Sequence, residues 1–243
     1  MNGTLPKPYS GPLNPVDGAN AIRAARLNAI DLVESAELLY TLKRFAHSMV
    51  FSTLAIEEAA KSSILFRLVL SDPSQHAKLW KSYRSHRAKT WYLNPAVGAR
   101  ARAVFPQISA DQAEAIGKSG PSPEEVEYNK QMAVYSDCKE IDGKFISHLP
   151  QLSEWRVLAW ERLCEAQTLV GGLRDRTPDE LRVWIRHMQS QTPGTPSLDT
   201  LRKIHEDLLA LGAIQKGWWD TMLKDIEEEE LEQKQGATTD DGK

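Results

Sequence analysis

The sequence predicts an all-α fold. Apolar residues recur at helical spacing over long stretches, no long run alternates polar and apolar residues as a strand does, and the breaks between stretches carry Pro and Gly. With 243 residues the chain can bury roughly 70–75% of its unfolded surface, so stability demands neither disulfides nor a metal.

Residues 1–16 hold four prolines and two glycines without periodicity and read as a flexible arm. Ile22, Leu27, Ile30, Val33, Leu38 and Leu39 give residues 19–40 an amphipathic pattern, with Asp17 or Asn20 as its cap. A second helix is expected over 43–70, ended by Ser71-Asp72-Pro73. A third starts near 74, carries His76, Leu79, Trp80, Tyr83, His86 and Lys89, and stops at Asn94-Pro95.

Residues 93–150 look like an irregular insertion. Short helices are expected around 99–104 and 110–116. A longer one is opened by Pro123-Glu124-Glu125, and residues 134–150, around Asp142-Gly143, read as a turn or small hairpin. Helices over 153–171, 178–189, 197–211 and 215–233 follow, the first stopped at Gly171-Gly172 and the last turning acidic at Glu227–Glu230. The expected organisation is therefore an arm (1–16), one helical domain (17–233, with core helices at 17–92, the insertion at 93–150 and C-terminal helices at 151–233) and a disordered tail (234–243).

Composition narrows the function. A net charge of −3 argues against a generic nucleic-acid coat, while leaving room for an enzyme that meets RNA at one local site. Cys138 and Cys164 match no metal-ligand spacing and read as reduced thiols. The first residues lack the apolar core of a secretory signal. The apolar stretch 45–70 contains Glu57, Glu58, Lys61 and Arg67, and each charge at a membrane centre costs roughly 3 kcal/mol, so a cytoplasmic protein without a membrane span is expected. No phosphate-binding loop, serine-nucleophile motif, zinc spacing or dinucleotide fingerprint is present, and no cofactor or metal is expected.

The chemistry concentrates in the second helix. Positions 47, 51, 54, 58, 61, 65 and 68 share one stripe, which is apolar except at His47, Glu58 and Lys61. Glu57 lies beside it, four residues before Lys61, within reach of the same ammonium. Charges at core-facing positions cost several kcal/mol unless paired, so the cluster is either a register-fixing salt bridge or a site. His86 and Lys89, at i and i+3, could supply an acid–base group and a phosphate-holding cation. Around them Arg84, Arg87, Arg100 and Arg102, with Lys78 and Lys81, form a basic segment interleaved with Trp80, Tyr83, Trp91 and Tyr92. It is either a solvated helix or an RNA-facing surface. Trp155, Trp160, Trp184, Trp218 and Trp219 read as core or as a dimer interface.

The segment LYTLKRFAHSMVFSTLAIEEAAKSSIL, with Glu57-Glu58-x-x-Lys61, then His86-x-x-Lys89, then Lys130, Tyr135, Asp137 and Pro150, resembles the AbiV family of abortive-infection proteins, a branch of the HEPN superfamily. Order and approximate spacing agree over about residues 20–150. The resemblance implies a HEPN-like helical bundle and a phage-defence effector that arrests growth or translation. It also implies a homodimer, a phage-encoded activator and, as in many HEPN proteins, metal-independent cleavage of RNA. On that reading Glu57, Glu58, Lys61, His86 and Lys89 are the catalytic candidates, and Arg84, Arg87, Lys130, Tyr135 and Asp137 are candidates for contact with RNA or a partner. The Arg-x4-6-His motif of HEPN ribonucleases has a match at Arg182 and His187, a weaker alternative because a chain with six histidines yields such matches by chance. Two rivals stay open: a non-catalytic helical module that binds a phage protein or the translation machinery, and a nucleotide-binding regulator using Lys61, His86 and Lys89.

Overall fold

A computed structural model describes residues 7–89, 122–134, 137–141, 144–148, 152–188, 196–215 and 217. The short helices expected at 99–104 and 110–116, the helix at 215–233, the tail and Tyr135 lie outside these residues, as do Trp91, Tyr92, Arg100 and Arg102. The described elements are α1 (Pro15–Thr41), α2 (Phe45–Leu70), α3 (Pro73–Arg84), α4 (Pro123–Val134), β1 (Asp137–Ile141), β2 (Lys144–His148), α5 (Leu152–Gly171), α6 (Pro178–Met188) and α7 (Leu198–Ala210). The class is all-α, with one antiparallel hairpin among the described residues. Its register runs from Asp137↔His148 to Ile141↔Lys144, on either side of the expected Asp142-Gly143 turn.

Four helices open on the same local chemistry, a capping side chain followed by proline at the first helical position. Asn14 accepts from the amides of Val16 and Asp17 at 2.9 Å each, ahead of Pro15. The cap of α1 is thus Asn14, and neither Asp17 nor Asn20. Asp72 accepts from Ser74 N at 2.8 Å, ahead of Pro73. Ser122 and Glu125 form a reciprocal capping box ahead of Pro123, and Thr177 and Glu180 do the same ahead of Pro178. Proline forfeits only an amide that a helix start leaves without a partner, and its fixed φ pre-sets the first turn.

Between α1 and α2, Lys43 takes the left-handed conformation (φ 59°). Arg44 N–H donates to Leu39 O at 2.8 Å and Lys43 N–H to Tyr40 O at 2.9 Å. This Schellman closure lets α1 turn back onto α2 at once, with lysine where glycine is usual.

The chain divides into two compact units, Met1–Asp175 and Arg176–Lys243, where the sequence suggested one domain over 17–233. In the first unit α2 is central, packed by α1, α3, α4 and α5. One core joins Ala29, Val33 and Ala36 of α1 to Ala55, Ile56, Ala59 and Ala60 of α2 and to Leu163, Ala166, Leu169 and Val170 of α5. The alanines allow close approach of the helix axes. A second core joins Met49 and Val50 to Met132 and Ala133 of α4 and Trp155 and Ala159 of α5. α2 buries residues on most of its circumference, and of the stripe the sequence suggested only Leu65 and Leu68 are buried, while Phe51, Leu54, Glu58 and Lys61 are partly covered and His47 is exposed. In the second unit α6 packs on α7 around Leu181, Trp184, Ile204 and Leu208.

The N-terminal arm is not loose where it is described. Trp80 Nε1 donates to Gly11 O at 2.9 Å, Arg84 donates to Tyr9 O, and the Tyr9 ring meets Trp80 edge-on at 5.8 Å. Residues 9–11 are therefore strapped to α3, because a buried indole N–H must find an acceptor and the extended arm offers its carbonyls.

Candidate functional site

The break that ends α3 shapes the site. Ser85 is extended (φ −90°, ψ 119°), and its N–H closes α3 on Lys81 O and Ser82 O. Its hydroxyl then accepts from Ala88 N at 3.2 Å, and residues 86–89 are helical again. One residue ends the first helix and caps the next turn. The sequence reading, one continuous helix through His86 and Lys89, misses this change of direction. Serine competes for backbone partners in this way at helix ends.

The new turn delivers His86 and Lys89 to Glu57. Nδ1 of His86 contacts Glu57 Oε2, and Lys89 Nζ lies 3.2 Å from the same oxygen. The other oxygen, Oε1, accepts from Lys130 Nζ of α4 at 3.2 Å, and Lys130 also pairs with Glu127 at 2.7 Å. The exposures differ sharply: the side chains of Glu57 and Lys89 are each 4% accessible, and that of His86 is 56%. A buried carboxylate thus grips an imidazole whose ring reaches the surface.

Burial pushes the Glu57 carboxyl upward, but Lys89, the His86 hydrogen bond and Lys130 outweigh it and hold the carboxyl below its ordinary value. Burial works against the charge of Lys130 too, and Glu127 and Glu57 reverse the effect, so its ammonium sits above the usual lysine value. Glu127 is lowered mainly by its bond from Lys130.

Glu58 and Lys61 are placed differently. They pair with each other, half-buried, and Lys61 Nζ stands 5.4 Å from the centroid of the Tyr83 ring. The expected sharing of Lys61 by Glu57 does not occur. One residue is about 100° of helix, and that step sends Glu57 towards α4 and the 86–89 turn.

The structure therefore brings together Glu57, His86 and Lys89 and adds Lys130, which the sequence reading assigned to RNA or partner contact. The i, i+3 spacing of Glu127 and Lys130 was visible; their meeting with Glu57, 73 residues away, was not. Arg84 is committed to the arm and to the Trp80 ring, at 5.5 Å. Arg87 is exposed and pairs with the exposed Glu124. Asp137 lies in β1. Arg182 and His187 are not brought together: Arg182 pairs with Asp179, and His187 Nε2 meets Asp207 at 2.8 Å. Among the described residues no group of three or more His, Cys, Asp and Glu is arranged to hold a metal ion, and no helix is long and apolar enough to cross a membrane.

No curated protein and no solved structure matches the chain. A HEPN AbiV family model, described as AbiV, matches residues 18–169, a span that runs from the first turn of α1 to near the end of α5, takes in every member of the Glu57 cluster and leaves out Arg182 and His187. Spanning well over half of the sequence, the match shows that the chain belongs to the AbiV family of HEPN proteins.

Proposed function

We propose that this protein is a phage-defence effector that arrests growth or translation in infected bacteria by metal-independent RNA cleavage, with His86 as its proton-transfer group. Family membership supports the coarser part, an abortive-infection protein with a HEPN-type domain. One observation carries the finer part: a buried, ionised Glu57 bound to Nδ1 of a half-exposed imidazole. When Nδ1–H donates to that carboxylate, proton exchange falls to Nε2, the atom a histidine offers to a 2′-hydroxyl or to a leaving oxygen. In such a cleavage the 2′-oxygen attacks phosphorus, its proton goes to a base, and the 5′-oxygen leaves with a proton from an acid. His86 can fill either position.

Lys89 is buried against Glu57 and turned to it, so the phosphate is better met by Arg87. That side chain is exposed, adjacent to His86 and held by a solvent-exposed pair of small energetic value. Glu58 and Lys61 flank the cluster on α2. A homodimer switched on by a phage-encoded protein is the assembly that family membership suggests. The engagement of both Lys89 and Lys130 by Glu57 supports a second reading, a non-catalytic module in which the cluster fixes helix positions.

The test is cleavage of total bacterial RNA and tRNA by the purified chain in EDTA, with and without lysate from phage-infected cells. Cleavage by wild type, lost in folded His86→Ala, supports the ribonuclease. No cleavage in either condition, with growth arrest retained by His86→Ala, supports the interaction module instead.

A further inference from the structure

The strap of residues 9–11 on α3 has no part in the ribonuclease reading. It is held by hydrogen bonds from side chains of α3 to main-chain oxygens of the arm, Trp80 Nε1 to Gly11 O at 2.9 Å and Arg84 to Tyr9 O. The two donors stand one turn apart, about 6 Å along the helix axis. The two acceptors are two residues apart, and two residues of chain reach at most about 7 Å. The arm thus runs antiparallel to α3 and offers one carbonyl to each donor. The surface beneath it is aromatic and cationic: the Trp80 ring meets Tyr9 at 5.8 Å and Tyr83 at 5.3 Å, and the Arg84 guanidinium lies 5.5 Å from the Trp80 centroid. Bonds to carbonyls read no side chain, so shape must select the segment. A Cβ on Gly11 would stand 2.6 Å from Tyr9 Oη and 2.9 Å from Tyr9 Cζ, so glycine lets that ring fold back over it. The Tyr9 hydroxyl is fixed in turn by donating to Pro12 O at 2.6 Å. Pro8 and Pro12 flank the contact and limit the freedom that the segment loses on docking.

Two observations separate this surface from its occupant. The family match begins at residue 18, so Trp80 and Arg84 belong to the matched span and the arm does not. Tyr9 is 58% exposed and Trp80 only 5%, so the arm lies outermost while the buried indole N–H needs an acceptor whether or not this arm supplies it. We propose that the Trp80–Arg84 face of α3 is a peptide-binding site, filled here in cis by the arm, and that it takes in trans a proline-flanked Tyr-x-Gly segment of another protein, which displaces the arm. Three residues join Gly11 to the start of α1 at Pro15. A tether that short holds the arm at a local concentration of about millimolar or more, and a free peptide must compete with it. Such binding needs neither RNA cleavage nor any role for His86.

The probe is a fluorescein-labelled peptide with the sequence of residues 7–14, and its binding is followed by anisotropy. In the full chain Gly11→Val forces the Tyr9 ring away, and a chain lacking residues 2–11 removes the occupant while keeping the Asn14 cap of α1. Whichever of the two folds is expected to bind the peptide at least about tenfold more tightly than wild type does, because the competitor in cis is weakened or gone. In that background Trp80→Phe, which keeps a ring and removes the N–H, is expected to weaken binding at least about threefold, and Arg84→Met at least about tenfold. A peptide of the same composition in scrambled order is expected to bind no better than background. A folded, emptied chain that takes the peptide no more tightly than wild type overturns the proposal. So does binding that Trp80→Phe and Arg84→Met both leave unchanged, or that the scrambled peptide equals. Failure of both emptied chains to fold overturns it as well, for the arm is then part of the core. The RNA assay is scored separately, and its result bears only on the ribonuclease.

Discussion

Among the described residues two histidine–carboxylate pairs, one in each unit, are built in opposite senses. In the first unit the acid is buried and the imidazole open: Glu57 is 4% accessible and His86 56%. In the second the imidazole is the more enclosed member, His187 at 18% against Asp207 at 40%, and Arg186 shares Asp207 at 3.3 Å. A buried carboxylate has lost its water and must take its hydrogen bonds from the protein, so it constrains whatever donates to it. An exposed one is solvated and screened, and its partner gains little from it. Only the first arrangement ties a half-exposed imidazole to a buried carboxylate. The loosely matched Arg182/His187 motif falls on the second.

The contrast can be broken most forcefully at the acids. Glu57→Ala leaves the buried ammonium of Lys89 without its counter-ion and is expected to cost ~3–5 kcal/mol, or folding itself. Asp207→Ala, at a pair whose carboxylate is open to solvent, is expected to cost less than ~1 kcal/mol, and urea unfolding of the two variants checks the difference. Equal losses would show that burial does not separate the two pairs.

Next come the histidines. His86→Ala removes a half-exposed ring, so stability is expected to change by less than ~1 kcal/mol. RNA cleavage is expected to fall at least ~100-fold. His187→Ala is expected to retain cleavage within about threefold, which is ~0.6 kcal/mol of barrier.

Acidification gives a smaller, graded effect. The folded carboxyl of Glu57 lies below its ordinary value of 4.5. Its contribution to stability is present above 4.5 and is lost as pH falls through the lower folded value. Lys130 has the opposite sign, its contribution present below 10.5 and lost as pH rises past its raised folded value. Urea midpoints followed from neutral pH to about pH 3 are therefore expected to fall less steeply in Glu57→Gln than in wild type. Parallel slopes would mean that other carboxyls dominate acid unfolding.

The smallest expected change lies outside both pairs. Lys43 holds the left-handed position that closes α1 onto α2, and Lys43→Gly is expected to add about 0.5–1 kcal/mol, read as a raised melting temperature.

Sequence and structure divide this protein in an instructive way. The helices were legible because their signals are local. Periodic apolar residues marked the spans, and Pro123 and Pro178 marked two of the starts, whereas Pro15 was read as part of the arm and Pro73 as the stop of the preceding helix. Asp142-Gly143 announced the hairpin for the same reason. The family was legible too, since its motif is an order of residues along the chain. Three things were not: which of two adjacent glutamates turns inward, the break at Ser85, and the arrival of Lys130. Periodicity assigned the core-facing role to Glu58, whereas its stripe from His47 to Lys61 lies on the less covered side of α2 and the small residues beside it, such as Ala55, Ala59 and Ala60, face the core. The break at Ser85 hangs on one serine choosing between two nearby backbone partners, a competition with no periodic trace.

By itself, then, the sequence determined the helical class, the approximate helix spans and the family, all properties of neighbouring residues or of their order. Tertiary structure alone decided that Glu57 is the buried acid, that His86 is its open partner and that Lys130 completes the cluster. The physical reason is that a buried charge is tolerated only where opposite charges converge on it, and here they converge from three separated segments of the chain.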